Sequence, residues 1–202
     1  MFAGFLIATL GAGCVTPGGG GTELFNGKNL DGWEVTDFAG GGAIKVKDGE
    51  IHMAMGELIS GINLAHENIP RTNYELEAEA MKLDGNDFFC GLTFPVGDTF
   101  ASFIPGGWGG TVVGLSSIDG MDAAENETAT FKQFKTHQWY HFRVRVTPGK
   151  IQCWVDDEMV VDLLLEDRAI ALRAGPIELS VPIGITVASS RMADTVPTTR
   201  SI

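Results

Sequence analysis

Along most of this chain apolar and polar residues alternate with a period of two, and helical spacing is almost absent. Between Tyr74 and Lys82, the residues Tyr74, Leu76, Ala78 and Ala80 fall on one side, and Glu75, Glu77, Glu79 and Met81 on the other. That is the pattern of a strand with one face on a core. The stretch 139–147 repeats it, setting Tyr140, Phe142, Val144 and Val146 against Trp139, His141, Arg143 and Arg145. Residues 88–94 are apolar on both sides, which predicts a central strand. Turn residues punctuate these runs. Lys47-Asp48-Gly49 joins 43–46 to 50–55, Pro148-Gly149 leads into 151–155, and Asp156-Asp157 leads into 159–165. Strands at 100–104 and 111–116 flank the glycine-rich 105–110, a short apolar strand follows at 183–188, and 198–202 begins a last one. The single helix candidate is 164–172. Many short strands joined by tight turns predict an all-β chain, a jelly-roll sandwich of two antiparallel sheets packed face to face.

The N-terminal end breaks the alternation. Phe2, Phe5, Leu6, Ile7 and Leu10 form an apolar stretch too short for a permanent membrane span, and the small residues Gly11, Ala12 and Gly13 lead directly to Cys14. We read residues 1–14 as a lipoprotein-type signal in which Cys14 is lipidated and becomes the new N-terminus. A cleaved, soluble secretory form is the other reading, because no Lys or Arg precedes the apolar run and Leu10 lies four places before Cys14 instead of three. Residues 15–22 are then a flexible tether, and 23–202 one sandwich domain whose last strand is cut short.

Charge narrows the partners. With 14 basic against 26 acidic residues the formal balance is −12, so phosphates are repelled. Nucleic acid and anionic membrane surfaces are disfavoured, and neutral ligands or cations fit better. The membrane is touched only through the N-terminal lipid. Cys90 and Cys153 lie in apolar alternating runs, as two buried thiols or as one disulfide. No Cys/His spacing resembles a zinc site, and there is no GxSxG elbow, no HExxH and no phosphate-cradling glycine loop ahead of a helix.

Candidate chemistry is concentrated in three places. The densest is 118–128, where Asp119, Asp122, Glu125 and Glu127 surround Asn126. Asp119, Asp122 and Glu125 could hold a divalent cation such as calcium or manganese, or Asp119 or Glu125 could serve as an acid or base; the alternative is a solvated loop. The second is Asn86-Asp87 at the mouth of the central strand, with the acidic strand face of Glu75, Glu77 and Glu79 before it. Those glutamates line a groove if their face is concave and are surface charges if it is convex. The third is Trp108, held between glycines, either a platform on which a sugar ring stacks or a plug for its own loop. His52, His66, His137 and His141 share no metal spacing and read as structural.

Four further stretches carry a family resemblance: Leu24 to Trp33 (LFNGKNLDGW), 44–50 (IKVKDGE), Trp139-Tyr140 ahead of a strand, and 151–157 (IQCWVDD) before Val160-Val161-Asp162. Over roughly residues 22–202 the chain resembles the bacterial 3-keto-disaccharide hydrolase domain family. The resemblance implies a concanavalin A-like sandwich, export, and a place in the cell envelope, in the periplasm or at the outer membrane. It also implies an enzyme for oxidised sugars. A ketone at carbon three acidifies the neighbouring C–H, a base removes that proton, the anomeric substituent leaves, and water adds. Here Asp87, Asp119 and Glu125 are the catalytic candidates, and Trp108, Asn86, Asn126 and Glu79 the substrate-binding ones. The family's central asparagine-serine-glycine run is replaced by Asn86-Asp87-Phe88. A non-catalytic, envelope-tethered carbohydrate-binding module and a scaffold built on the same sandwich are the alternatives.

Overall fold

The computed structural model describes residues 5–7, 22–66 and 68–188. Over these the alternation resolves into two sheets. The first contains β1 (Phe5–Ile7), β3 (Ile44–Lys47), β4 (Glu50–Met53), β6 (Tyr74–Met81), β11 (Trp139–Thr147), β12 (Lys150–Val155) and β13 (Glu158–Leu164). The second contains β2 (Trp33–Val35), β5 (Ile59–Leu64), β7 (Gly91–Val96), β8 (Thr99–Gly106), β9 (Val112–Ser116), β10 (Thr130–Phe131) and β14 (Gly184–Ala188). Side by side the strands run β13-β12-β11-β6-β1-β4-β3 and β10-β9-β8-β7-β14-β5-β2. All pairings are antiparallel. This is the expected all-β, concanavalin A-like jelly-roll sandwich.

The period-two series set its core. Leu76, Ala78 and Ala80 of β6 and Phe142, Val144 and Val146 of β11 are buried with Leu92 and Phe94 of β7, Phe103 of β8 and Ile185 of β14. Phe89, Phe134 and Tyr140 pack edge to face, with ring centres 5.0–6.0 Å apart. Tyr74 ties the sheets together by donating its hydroxyl to the Pro95 carbonyl at 2.5 Å. The outward face of β6 is neutralised by its neighbour: Glu75 pairs with Arg145, and Glu77 lies 3.5 Å from His141. Cys90 and Cys153 are both free and buried, so the thiol reading holds over the disulfide.

The Lys47–Gly49 hairpin forms as expected, with Asp48 and Gly49 at φ 54° and 83°, the left-handed pair such a turn requires. The helix candidate at 164–172 is not a helix. After a turn at Glu166-Asp167, the chain runs extended as a strap along 117–119, exchanging Ser117 N→Ala171 O (2.7 Å) and Ala171 N→Ser117 O (3.1 Å). Its backbone groups find partners across the loop, which removes the need for helical bonds. The central strand at 88–94 joins the ladder only from Gly91 onward. Strands β2, β5 and β10 have too little alternation to announce themselves. Phe5–Ile7, inside the stretch read as an export signal, is placed between β4 and β6. Cys14 and the last strand expected at 198–202 lie outside the described residues.

Candidate functional site

The outward face of the second sheet is built from small residues. Where Leu92 and Phe94 point into the core, Gly91 and Thr93 point away from it; Ser102, Gly114, Ser116 and Thr186 do the same on neighbouring strands. Thr93 and Ser102 hydroxyls lie 2.9 Å apart. Large side chains here would leave no room for what covers them. A Cβ on Gly114 would stand 3.1 Å from the Thr128 carbonyl and 3.2 Å from that of Ala123, because the acidic loop folds back over β9. The strap covers another part of the face. Between these covers lies a cleft of about 330 Å³, with Ser102, Ile104 and Ser116 on its floor and Asp87, Trp108 and Arg173 on its walls.

Trp108 owes its place to the glycines around it. Gly106, Gly109 and Gly110 have φ of 84°, 89° and 94°, and Trp108 itself is at φ 46°, uncommon for a bulky residue. The glycine turn therefore holds Trp108 in a left-handed conformation of higher energy and leaves the indole 39% exposed on the cleft wall. A side chain at Gly110 would meet the Asn86 carbonyl at 3.1 Å and the Lys82 ammonium at 3.5 Å, so the turn is pressed against the stretch that carries Asp87.

Asp87 is the carboxylate of the cleft. Burial raises its pKa above the ordinary aspartate value, against the lowering effects of the Phe88 N–H (2.8 Å from Oδ1), Lys82, the Trp108 N–H and Arg173. Its proton is held more tightly than a surface aspartate would hold one, which suits a general base. Lys82 stands behind it, only 6% exposed, its pKa lowered by burial while Asp87 and Asp84 pull it back up. Sequence inspection overlooked Lys82, although a signal was present: it is the next member of the inward series 74, 76, 78, 80, a charge where the parity demands an apolar residue. Arg173 had no such signal. It lies on the strap, with Nε 3.2 Å from Asp122 and the guanidinium 5.9 Å from the Trp108 ring centre.

The acidic loop is organised by arginines. Asp119 binds Arg168 at 2.8 Å and the Ala169 N–H at 2.8 Å, which holds its pKa below the usual range, and Glu127 binds the same Arg168. Asp122 takes the Ser116 hydroxyl at 2.9 Å as well as Arg173. Asn126 is buried and structural: its amide donates to the carbonyls of Leu115, Met121 and Asp122, and its carbonyl accepts from Thr128 N and Oγ1. Among the described residues no three His, Cys, Asp or Glu side chains are grouped to hold a metal ion, and Asp119 and Asp122 are engaged by Arg168 and Arg173 while Glu125 is exposed. Asp122 alone of the acidic loop reaches the cleft's neighbourhood, through Ser116 and Arg173. Asn86 is exposed, and Glu79 lies on the outward face of the first sheet, opposite His141 of β11.

The fold and cleft define a β-sandwich with one desolvated acid beside an aromatic and a cation. The chain belongs to the 3-keto-alpha-glucoside-1,2-lyase-like domain family, whose model matches residues 20–187. This agrees with the resemblance read from Leu24 to Trp33 and makes the protein a carbohydrate-related domain. Among solved structures it is similar to carbohydrate binding module CBM66 from Bacillus subtilis, with 14% identity and a TM-score of 0.48 over 78% of this chain and 88% of that one. It is also similar to Crh5 transglycosylase in complex with NAG, with 15% identity and a TM-score of 0.49 over 91% of this chain and 69% of that one. A search of curated proteins gives no match.

Proposed function

We propose that this protein is an exported enzyme that cleaves 3-keto glycosides and disaccharides, with Asp87 as the base. The observation that carries the reading is a carboxylate whose burial raises its proton affinity, on the wall of a cleft that also holds Trp108 and Arg173. In the reaction the C2–H electrons of the 3-keto sugar form an enolate as Asp87 takes the proton. The enolate then collapses, the bond from C1 to the glycosidic oxygen breaks, and the leaving oxygen takes up a proton; water adds across the new double bond to complete hydrolysis. Arg173 is the cation on the cleft suited to stabilising negative charge on the carbonyl oxygen, and Trp108 is an aromatic surface for the apolar face of the sugar. Export, with lipid on Cys14 as anchor in the cell envelope, rests on the N-terminal sequence.

The test is a panel of ordinary and 3-keto disaccharides, incubated with the protein with and without calcium or manganese. Release of sugar from the keto substrates alone supports the enzyme. A melting temperature raised by sugars with no turnover of any substrate would replace it with a carbohydrate-binding module.

A further inference from the structure

The two ends of the cleft differ in chemistry, and the order of the strands shows which end is which. Its lining comes from Ser116 on β9, Ser102 on β8, Phe88 ahead of β7, Ala188 on β14 and Ile59 on β5, which are successive neighbours across the second sheet. Neighbouring strands lie about 4.8 Å apart, so these four steps span roughly 19 Å. That is room for a ligand of two rings laid across the strands.

The β8–β9 end carries the hydrogen-bonding groups. Ser102 and Ser116 each keep acceptor capacity beyond their bonds to Thr93 and Asp122, and Arg173 joins Ser116 through that same Asp122. Asp87 borders this end through the Trp108 turn. At the β14–β5 end, Ala188, Leu58 and Ile59 meet Pro176 and Ile177, whose 3₁₀ turn (Pro176–Ser180) packs against β5 and β14. Leu58, Ile59, Ala188, Pro176 and Ile177, the cleft residues of β5, β14 and the 3₁₀ turn with its flank, are all apolar. A second sugar ring seated there would lose water from its hydroxyls and find carbon in exchange, whereas an aromatic ring would bury apolar surface on both sides.

We propose that the substrate is a glycoside with an aromatic aglycone: its sugar lies at the Asp87, Ser102 and Ser116 end, and its leaving group against Ile59, Ala188 and Ile177. This rests on the 3-keto glycoside reading of the site and names what the leaving group is. The bond changes are those given above, with the aromatic alcohol departing from C1 and taking up the proton.

The full chain is assayed with two 3-keto glucosides of matched linkage, one carrying a benzyl group and one a second glucose. A benzyl alcohol and a sugar hydroxyl are comparable leaving groups, so a difference reports the seat. Calorimetric binding of the two unoxidised glycosides is measured alongside. The benzyl compound should show kcat/KM at least tenfold higher and tighter binding. Leu58→Asn and Ile177→Asn, at positions that are exposed and half-buried, should bring both ratios toward one. Equal or better use of the disaccharide overturns the aglycone assignment and leaves the reaction standing. If neither compound turns over, the reaction reading fails and binding decides the seat: tighter benzyl glucoside supports it, while equal binding or none overturns it.

Discussion

Asp87 is where stability and function pull apart. Burial raises its folded pKa above its unfolded value, so whatever stability its protonated form provides is fully present below the unfolded pKa and is lost as pH rises through the folded one. At neutral pH the ionised side chain is a destabilising feature. Asp87→Asn keeps the size and an oxygen for the Phe88 N–H, and should melt at a temperature equal to or above that of the wild type near pH 7. Its turnover of a 3-keto substrate should drop by roughly 10²–10⁴-fold. In the wild type, kcat/KM should climb along an acid limb displaced above the ordinary aspartate range, and a pH–rate profile reads this directly. Asp87 and Trp108 were legible in the sequence because each stands out locally, one at a strand mouth and the other between glycines. Lys82 was legible only by parity. Arg173 was not legible at all, because its place depends on the path of a strap that has no periodic pattern.

Among the elements, the acidic loop shows what single-sequence reading cannot supply. Its charge density was plain, but its partners, Arg168 and Arg173, come from a strap some 40 to 50 residues further on. A loop that folds back over a sheet must neutralise its carboxylates and satisfy its backbone. The arginines do the first, and the Asn126 side chain, with five hydrogen bonds, does much of the second. Asn126→Ala should therefore lower stability by about 2–3 kcal/mol in urea unfolding, since it strands buried carbonyls and the Thr128 hydroxyl. Arg168→Met removes an exposed pair and should change stability by less than about 1 kcal/mol. It should still speed amide hydrogen exchange across 117–129, the stretch the strap holds down. The 164–172 segment was misread as a helix for the same reason: its bonds are made to a distant loop.

At the scale of the whole molecule the sandwich was the most legible feature, because alternation along β6 and β11 must put one face of each strand inside, whatever the partners are. The order of strands within the sheets was not legible, and the cleft follows from that order. Phe142, fully buried at the contact of the aromatic cluster, should be among the costliest side chains to truncate; Phe142→Ala is expected to lose about 3–5 kcal/mol in equilibrium unfolding. Anchoring is tested separately: in a Gram-negative host the full chain should incorporate labelled palmitate, and Cys14→Ala should not.

The central claim is that Asp87 removes a proton from the carbon beside the ketone, and isotope transfer at that carbon tests it most directly. With a 3-keto glycoside deuterated at C2, the wild type should release the aglycone more slowly than from the protiated compound, and Asp87→Asn should release almost none from either. Bond cleavage with no isotope effect at C2, or cleavage undiminished in Asp87→Asn, would contradict the account.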